Sequence, residues 1–211
     1  MNLKLLAFAT CSVALFACGN GQSGSSPTGD DSQKADSLPI VRNTADTIPL
    51  RPSYTKWINR HHRVMDSAFG YLNRDHYEDA ILVLRHDSDD VGMMSERPRP
   101  VLLLIGSPVG FKLAEYNEKA TLPQINGQMF GEPFNGIEID SGSFTLKHYG
   151  GSRYRWTRDF VFVFDKKAGT WKYDRCYESM MDMLGEDPSS ADTIIAKQKV
   201  PFGRFSYLEE Y

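Results

Sequence analysis

The side chains best suited to recognise a ligand lie in one short stretch: Tyr149, Arg153, Tyr154, Arg155 and Trp156. Planar and cationic groups this dense can stack on a sugar or grip an anion, and they can equally seal the end of a β-sheet. A second group, Asn73, Asp75 and Asp79, puts carboxamide and carboxylate oxygens on a polar loop, the hard ligands that calcium takes. Hydrolytic chemistry has no arranged nucleophile. The chain lacks G-x-S-x-G and H-E-x-x-H, and Ser53-Tyr54-Thr55-Lys56 matches S-x-x-K without the S-D-N or K-T-G that would accompany it. His148 and Cys176 could be paired as base and nucleophile, but each falls inside a strand pattern, where a hydrogen-bonded histidine and a small buried thiol are the usual occupants. His61 and His62 are adjacent and lack the i, i+4 spacing of a metal pair on one helix face.

The amino-terminal stretch says where such a domain would sit. Residues 1–17 carry Lys4, an apolar run and Ala17, the build of a secretory signal peptide, and the run is too short to span a bilayer. Leu15-Phe16-Ala17-Cys18 resembles the bacterial lipobox, with Phe16 where a smaller side chain is commoner. The resemblance implies cleavage before Cys18 and lipidation of Cys18, including a palmitate-type acyl chain, and several acyl chains hold a protein on a membrane far more firmly than one. Residues 18–52 are rich in Gly, Ser, Asp, Thr and Pro and read as a flexible tether that cannot bury enough apolar surface to order itself.

The remaining span, 53–211, suits one domain with a full-sized core. Its centre is a run of strands. Ile137 and Ile139 alternate with Glu138 and Asp140; after Ser141-Gly142, Phe144, Leu146 and His148 alternate with Thr145, Lys147 and Tyr149; after Gly150-Gly151-Ser152, Tyr154, Trp156, Phe160, Phe162 and Phe164 share one parity. Trp171 and Tyr173 continue as a hairpin partner beyond the turn at 166–169. Ala80–Leu84 and Val101–Ile105 are unbroken apolar runs and read as central strands covered on both faces, with a further strand at Phe111, Leu113 and Tyr116 and an edge strand over 193–200. The segment 86–100 between the two central runs reads as an exposed polar loop. Trp57, Ile58, His61, Val64, Met65, Ala68 and Phe69 recur at helical spacing, which predicts one amphipathic helix packed on the sheet with His61 inward, and Ser179–Leu184 reads as a short second helix. The expected fold is therefore mainly β (α+β), an antiparallel meander sheet with one N-terminal amphipathic helix.

The segment Gly70 to Asp79, leading straight into an apolar strand, resembles the D-x-N-x-D-G calcium-loop element of FG-GAP and VCBS repeats. In a single copy it is similar to a group of uncharacterised bacterial secreted proteins and lipoproteins. The same group resembles this chain at Phe130-Gly131-x-Pro133-Phe134-x-Gly136-Ile137 and at H-Y-G-G-S-x-x-R-W, residues 148–156, so the likeness spans roughly 57 to 173. It implies a mainly β single domain with no established activity. Tyr71 and His76 replace the aspartate and glycine of the repeat pattern, so a degenerate turn is expected over a working calcium site, and no other cofactor is expected.

A net charge of −3 and the lack of a basic run make nucleic acid an unexpected partner. The expected protein is a lipoprotein of the bacterial cell envelope, tethered to a membrane on its periplasmic side or outer surface. It binds or scaffolds a glycan or envelope protein rather than catalysing. The rival is an envelope glycan hydrolase working through a carboxylate pair, which needs no short motif.

Overall fold

The computed structural model describes residues 53–89 and 94–209. The signal-like stretch, Cys18 and the tether lie outside the described residues. Among the described residues, nine strands form two antiparallel meanders. The first sheet runs in order β1 (His62–Gly70), β2 (Asp79–His86), β3 (Val101–Ile105) and β4 (Lys112–Asn117). The second runs β5 (Phe134–Asp140), β6 (Ser143–Gly151), β7 (Tyr154–Asp165), β8 (Thr170–Asp182) and β9 (Ser190–Ile195). Among the described residues no helix is long and apolar enough to cross a membrane.

Pleating explains the core. Ile81, Val83, Val101 and Leu103 face Phe144, Leu146, Phe160, Phe162, Trp171 and Tyr173 of the other sheet, and Phe202 and Phe205 from the C-terminal segment join the same cluster. Asn117 pins that segment by donating from Nδ2 to the carbonyl of Phe205 at 2.9 Å. The alternate side chains Ala80, Leu82, Leu84, Leu102 and Leu104 point the opposite way and are covered by Tyr54, Trp57, Ile58, Val64 and Phe69. β2 and β3 are thus buried on both faces, as their unbroken apolar runs predict. The sheets approach most closely where β1 meets β5: a Cβ on Gly70 would stand 2.7 Å from Cγ2 of Ile139, so only glycine fits.

The expected helix over 57–69 is replaced by a single 3-10 turn, Thr55–Trp57, followed by strand β1. The cause is a bulge. Val64 pairs with Leu84 and Asp66 with Val83, so Met65 is an extra residue that resets the pleat. Val64 and Phe69 consequently share the outer face while Met65 turns into the core between the sheets, a spacing that imitates a helical stripe. His61 is exposed and His62 half-buried, the reverse of the expectation. Ser179–Leu184 is likewise not helical, since β8 continues to Asp182, and the edge strand spans Ser190–Ile195 rather than 193–200.

The loop after β2 is not simply exposed. Asp89 and Arg99 are buried and joined at 2.6 Å, and Arg99 also holds Glu132 at 2.9 Å. Burial pushes the Asp89 carboxyl up, but hydrogen bonds from Arg97 and Ser95 and the charge of Arg99 outweigh it and hold the group below its ordinary value.

Candidate functional site

Strand alternation divides the predicted cluster between the two faces of the second sheet. Along β7, Trp156 and Arg158 share the face of Phe160 and Phe162, whereas Arg155 and Thr157 point the other way, beside Tyr149, the cross-strand neighbour of Thr157. On that outer face the guanidinium of Arg155 lies 3.8 Å from the centroid of Phe130, whose ring meets Tyr149 edge-on at 5.2 Å. This ladder closes the end of the sheet. Arg153 and Tyr154 turn to the loop after β8 instead. Arg153 grips Asp182 through two bonds of 2.9 and 3.0 Å and also pairs with Glu186, while the Tyr154 hydroxyl donates to Asp187 at 2.6 Å. The Arg153 guanidinium, with help from the amides of Leu184, Asp187 and Glu186, holds the Asp182 carboxyl well below the usual range. Four of the five residues are therefore engaged with their own chain.

Trp156 faces a cleft of about 370 Å³ at the end of the core face. Its indole packs across the backbone of Gly150, where a Cβ would come within 2.5 Å of Cζ2. Arg158, Glu178 and Asp192 line the adjoining wall, on neighbouring strands, with Glu178 directly opposite both others in register. Arg158 Nε stands 2.6 Å from Glu178 Oε1, so the two charges offset each other. The facing wall is the 3-10 turn Gln124–Gly127 and its cap, which contribute Asn126 and Gln128. Gln128 has φ 55° and ψ −124°, a backbone state that suits glycine and that side chains rarely adopt.

His148 anchors that turn from below. Its Nε2 accepts the amide of Leu122 at 3.3 Å, and its Nδ1 lies 2.9 Å from the carbonyl of Arg158, which requires the proton on Nδ1. Burial lowers its pKa to about 4. Burial likewise pushes the Cys176 thiol up to about 12. Phe160 pairs with Cys176 across β7 and β8 and its ring meets that of His148 at 5.2 Å, while both nitrogens of His148 are bonded to other groups, so the histidine and the thiol form no base and nucleophile pair.

In the polar loop the three candidate calcium ligands spend their oxygens on the protein. Asp79, fully buried, accepts the amides of Leu72 at 2.7 Å and Asn73 at 3.3 Å through one oxygen and the amide of Gly106 at 2.8 Å through the other. Burial raises its pKa against the pull of those amides. Asp75 accepts the amide of Tyr77 at 2.8 Å and the Asn73 carboxamide at 2.7 Å, and Asn73 Oδ1 accepts the amide of Asp75 at 3.0 Å. Among the described residues no group of three or more His, Cys, Asp or Glu is arranged to hold a metal ion.

No known protein family, curated protein or solved structure matches this chain. Of the cleft, sequence reading reached only Trp156. Arg158, Glu178 and Asp192 were visible in principle, as the residues one strand-step from Phe160 and Cys176 and their neighbours on β9. Asn126 and Gln128 carry no pattern that would place them there.

Proposed function

We propose that this protein is a lipoprotein tethered at Cys18 to a bacterial envelope membrane, and that its β domain is a binding module whose ligand sits in the cleft over Trp156. The tethering rests on the signal-like stretch, the lipobox-like residues and the polar run behind them. The binding reading rests on one observation: the cleft joins a half-buried indole to a wall of hydrogen-bonding side chains in which the one cation, Arg158, is already paired with Glu178 at 2.6 Å. Such a surface holds a ligand without a group poised to transform it. Cys176 and His148, the side chains most apt for covalent or acid–base work, are both buried, and both ring nitrogens of His148 are hydrogen-bonded.

Intact-mass measurement of the mature protein tests the tether: a Cys18-initiated chain carrying acyl groups is expected, and an unmodified Cys18 overturns it. Fluorescence of Trp156, isolated by subtracting the Trp156→Phe signal, tests the cleft in extracts of envelope material. A second reading, glycan hydrolysis, is favoured by Glu178 and Asp192 standing opposite each other across β8 and β9. Turnover of glycans that vanishes in both Glu178→Gln and Asp192→Asn would establish that reading instead.

A further inference from the structure

We propose that the cleft over Trp156 takes an uncharged saccharide, one pyranose ring stacked on the indole and its hydroxyls read by Gln128, Asn126 and Asp192. This rests on the reading of the cleft as the ligand site. A pyranose has a face of C–H groups and a rim of hydroxyls that both donate and accept. The electron-rich face of an indole complements the first. Carboxamide and carboxylate side chains, which offer both roles in planar form, complement the second. The cleft holds this combination within about 370 Å³, a volume suited to a small ligand or the end unit of a chain.

Charge and polarity disfavour anionic and apolar ligands. An anion would meet Glu178 and Asp192 while the single cation, Arg158, is already held at 2.6 Å by Glu178. An apolar ligand would cover the carboxamides of Asn126 and Gln128 and the second oxygen of Asp192, whose first accepts the Thr193 amide at 2.7 Å, and would return no hydrogen bond to them. An organic cation is the serious competitor, because it would be drawn to both the indole and Asp192.

Gln128 adds an independent argument. Its φ of 55° with ψ of −124° is a conformation in which glycine would be at ease, yet a long carboxamide is held there, at the rim of the cleft. Strain kept at a ligand-facing position is a mark of function, since the fold itself would gain from glycine. Gln128→Gly should therefore raise or leave unchanged the melting temperature while weakening saccharide binding about tenfold, the effect of one lost hydrogen-bonding group in a site built for hydroxyls.

The test uses the full chain and saturation-transfer NMR with cellobiose, chitobiose, maltose and xylobiose as neutral probes, and tetramethylammonium and glucose 6-phosphate as charged ones. Transfer to a neutral disaccharide, lost in Trp156→Ala and reduced about tenfold in affinity in Gln128→Gly, is the expected result. Gln128→Gly keeps the test open if Trp156→Ala fails to fold. Transfer to tetramethylammonium or the phosphate alone, still dependent on Trp156, overturns the saccharide and leaves the cleft as a ligand site. Silence from every probe overturns the saccharide; if Trp156 fluorescence also fails to respond to envelope extracts, the cleft reading falls with it. A lowered melting temperature in Gln128→Gly overturns the role assigned to that residue.

Discussion

The indole N–H of Trp171, at the start of β8, donates to the carbonyl of Leu72 at 2.9 Å, tying the second sheet to the loop that joins the first two strands of the first. Both residues are buried, at 2% and 0% exposure, so neither end of the bond has water as a substitute. Trp171→Phe keeps most of the ring volume and leaves the Leu72 carbonyl without its donor, and is expected to cost about 1 to 3 kcal/mol. Trp171→Ala adds a cavity and should cost about 3 to 5 kcal/mol. Urea unfolding of the two variants checks this. A Trp171→Phe variant as stable as the unmodified chain would mean that the bond contributes nothing beyond packing.

Asp79, not Asp75, organises the polar loop. Asp79→Asn would aim an NH₂ group at backbone donors that now share a carboxylate, in a site with no exposure, and is expected to cost about 2 to 5 kcal/mol. Asp75→Asn, at an exposed position, should cost no more than about 1 to 2 kcal/mol. Calcium is expected to leave the melting temperature of all three proteins unchanged. A rise of several degrees in the unmodified chain, absent in Asp75→Asn, would make the loop a working site, because an ion at a hundred times its Kd stabilises by about 2.7 kcal/mol.

β5 to β8 were legible because alternation and turn residues agree there: Ser141-Gly142 and Gly150-Gly151-Ser152 punctuate runs whose buried members, Phe144, Leu146, Phe160 and Phe162, share one parity. β1 was not, because Met65 bulges and breaks the period that identifies a strand. The charged loop after β2 differs from its sequence pattern for another reason. Composition reports how polar a segment is but not whether its charges find partners, and Arg99 finds Glu132 from a distant part of the chain. The cleft shares that difficulty, since Gln128 and Asp192 come from separate segments and meet only in the folded sheet.

The buried ion group of Asp89, Arg99 and Glu132 gives a further prediction. Asp89→Ala leaves the Arg99 guanidinium, 1% exposed, with one carboxylate in place of two, and is expected to destabilise by about 3 to 5 kcal/mol. Replacing Asp89 and Arg99 together with apolar residues should recover much of that loss, since the one charge then left without its partner, Glu132, is 25% exposed and reaches water. A double variant as unstable as the sum of the single ones would show that the pair is not the unit that matters.

His148 makes stability depend on pH in a defined window. Its folded pKa is lowered to about 4 from 6.5 by burial, so between these values the unfolded chain binds a proton that the folded one refuses. The histidine's contribution therefore rises with pH through that window and is lost as pH falls from 6.5 towards 4, by about 3 kcal/mol in all, against the opposite trend of Asp79 and Asp159, whose carboxyls burial raises above 3.8. The geometry supplies the reason: a proton on Nε2 would confront the Leu122 amide that it now accepts. Asp89, Asp174 and Asp182 are also held below their ordinary values, but their stabilisation is lost only below the unfolded carboxylate value of 3.8, beneath the histidine window. His148→Gln, which can still accept from Leu122 and donate to Arg158, is expected to flatten the slope between pH 6.5 and 4 while leaving the acid limb in place. Urea midpoints measured across that range in the two proteins decide it, and parallel curves would mean that another group carries the dependence.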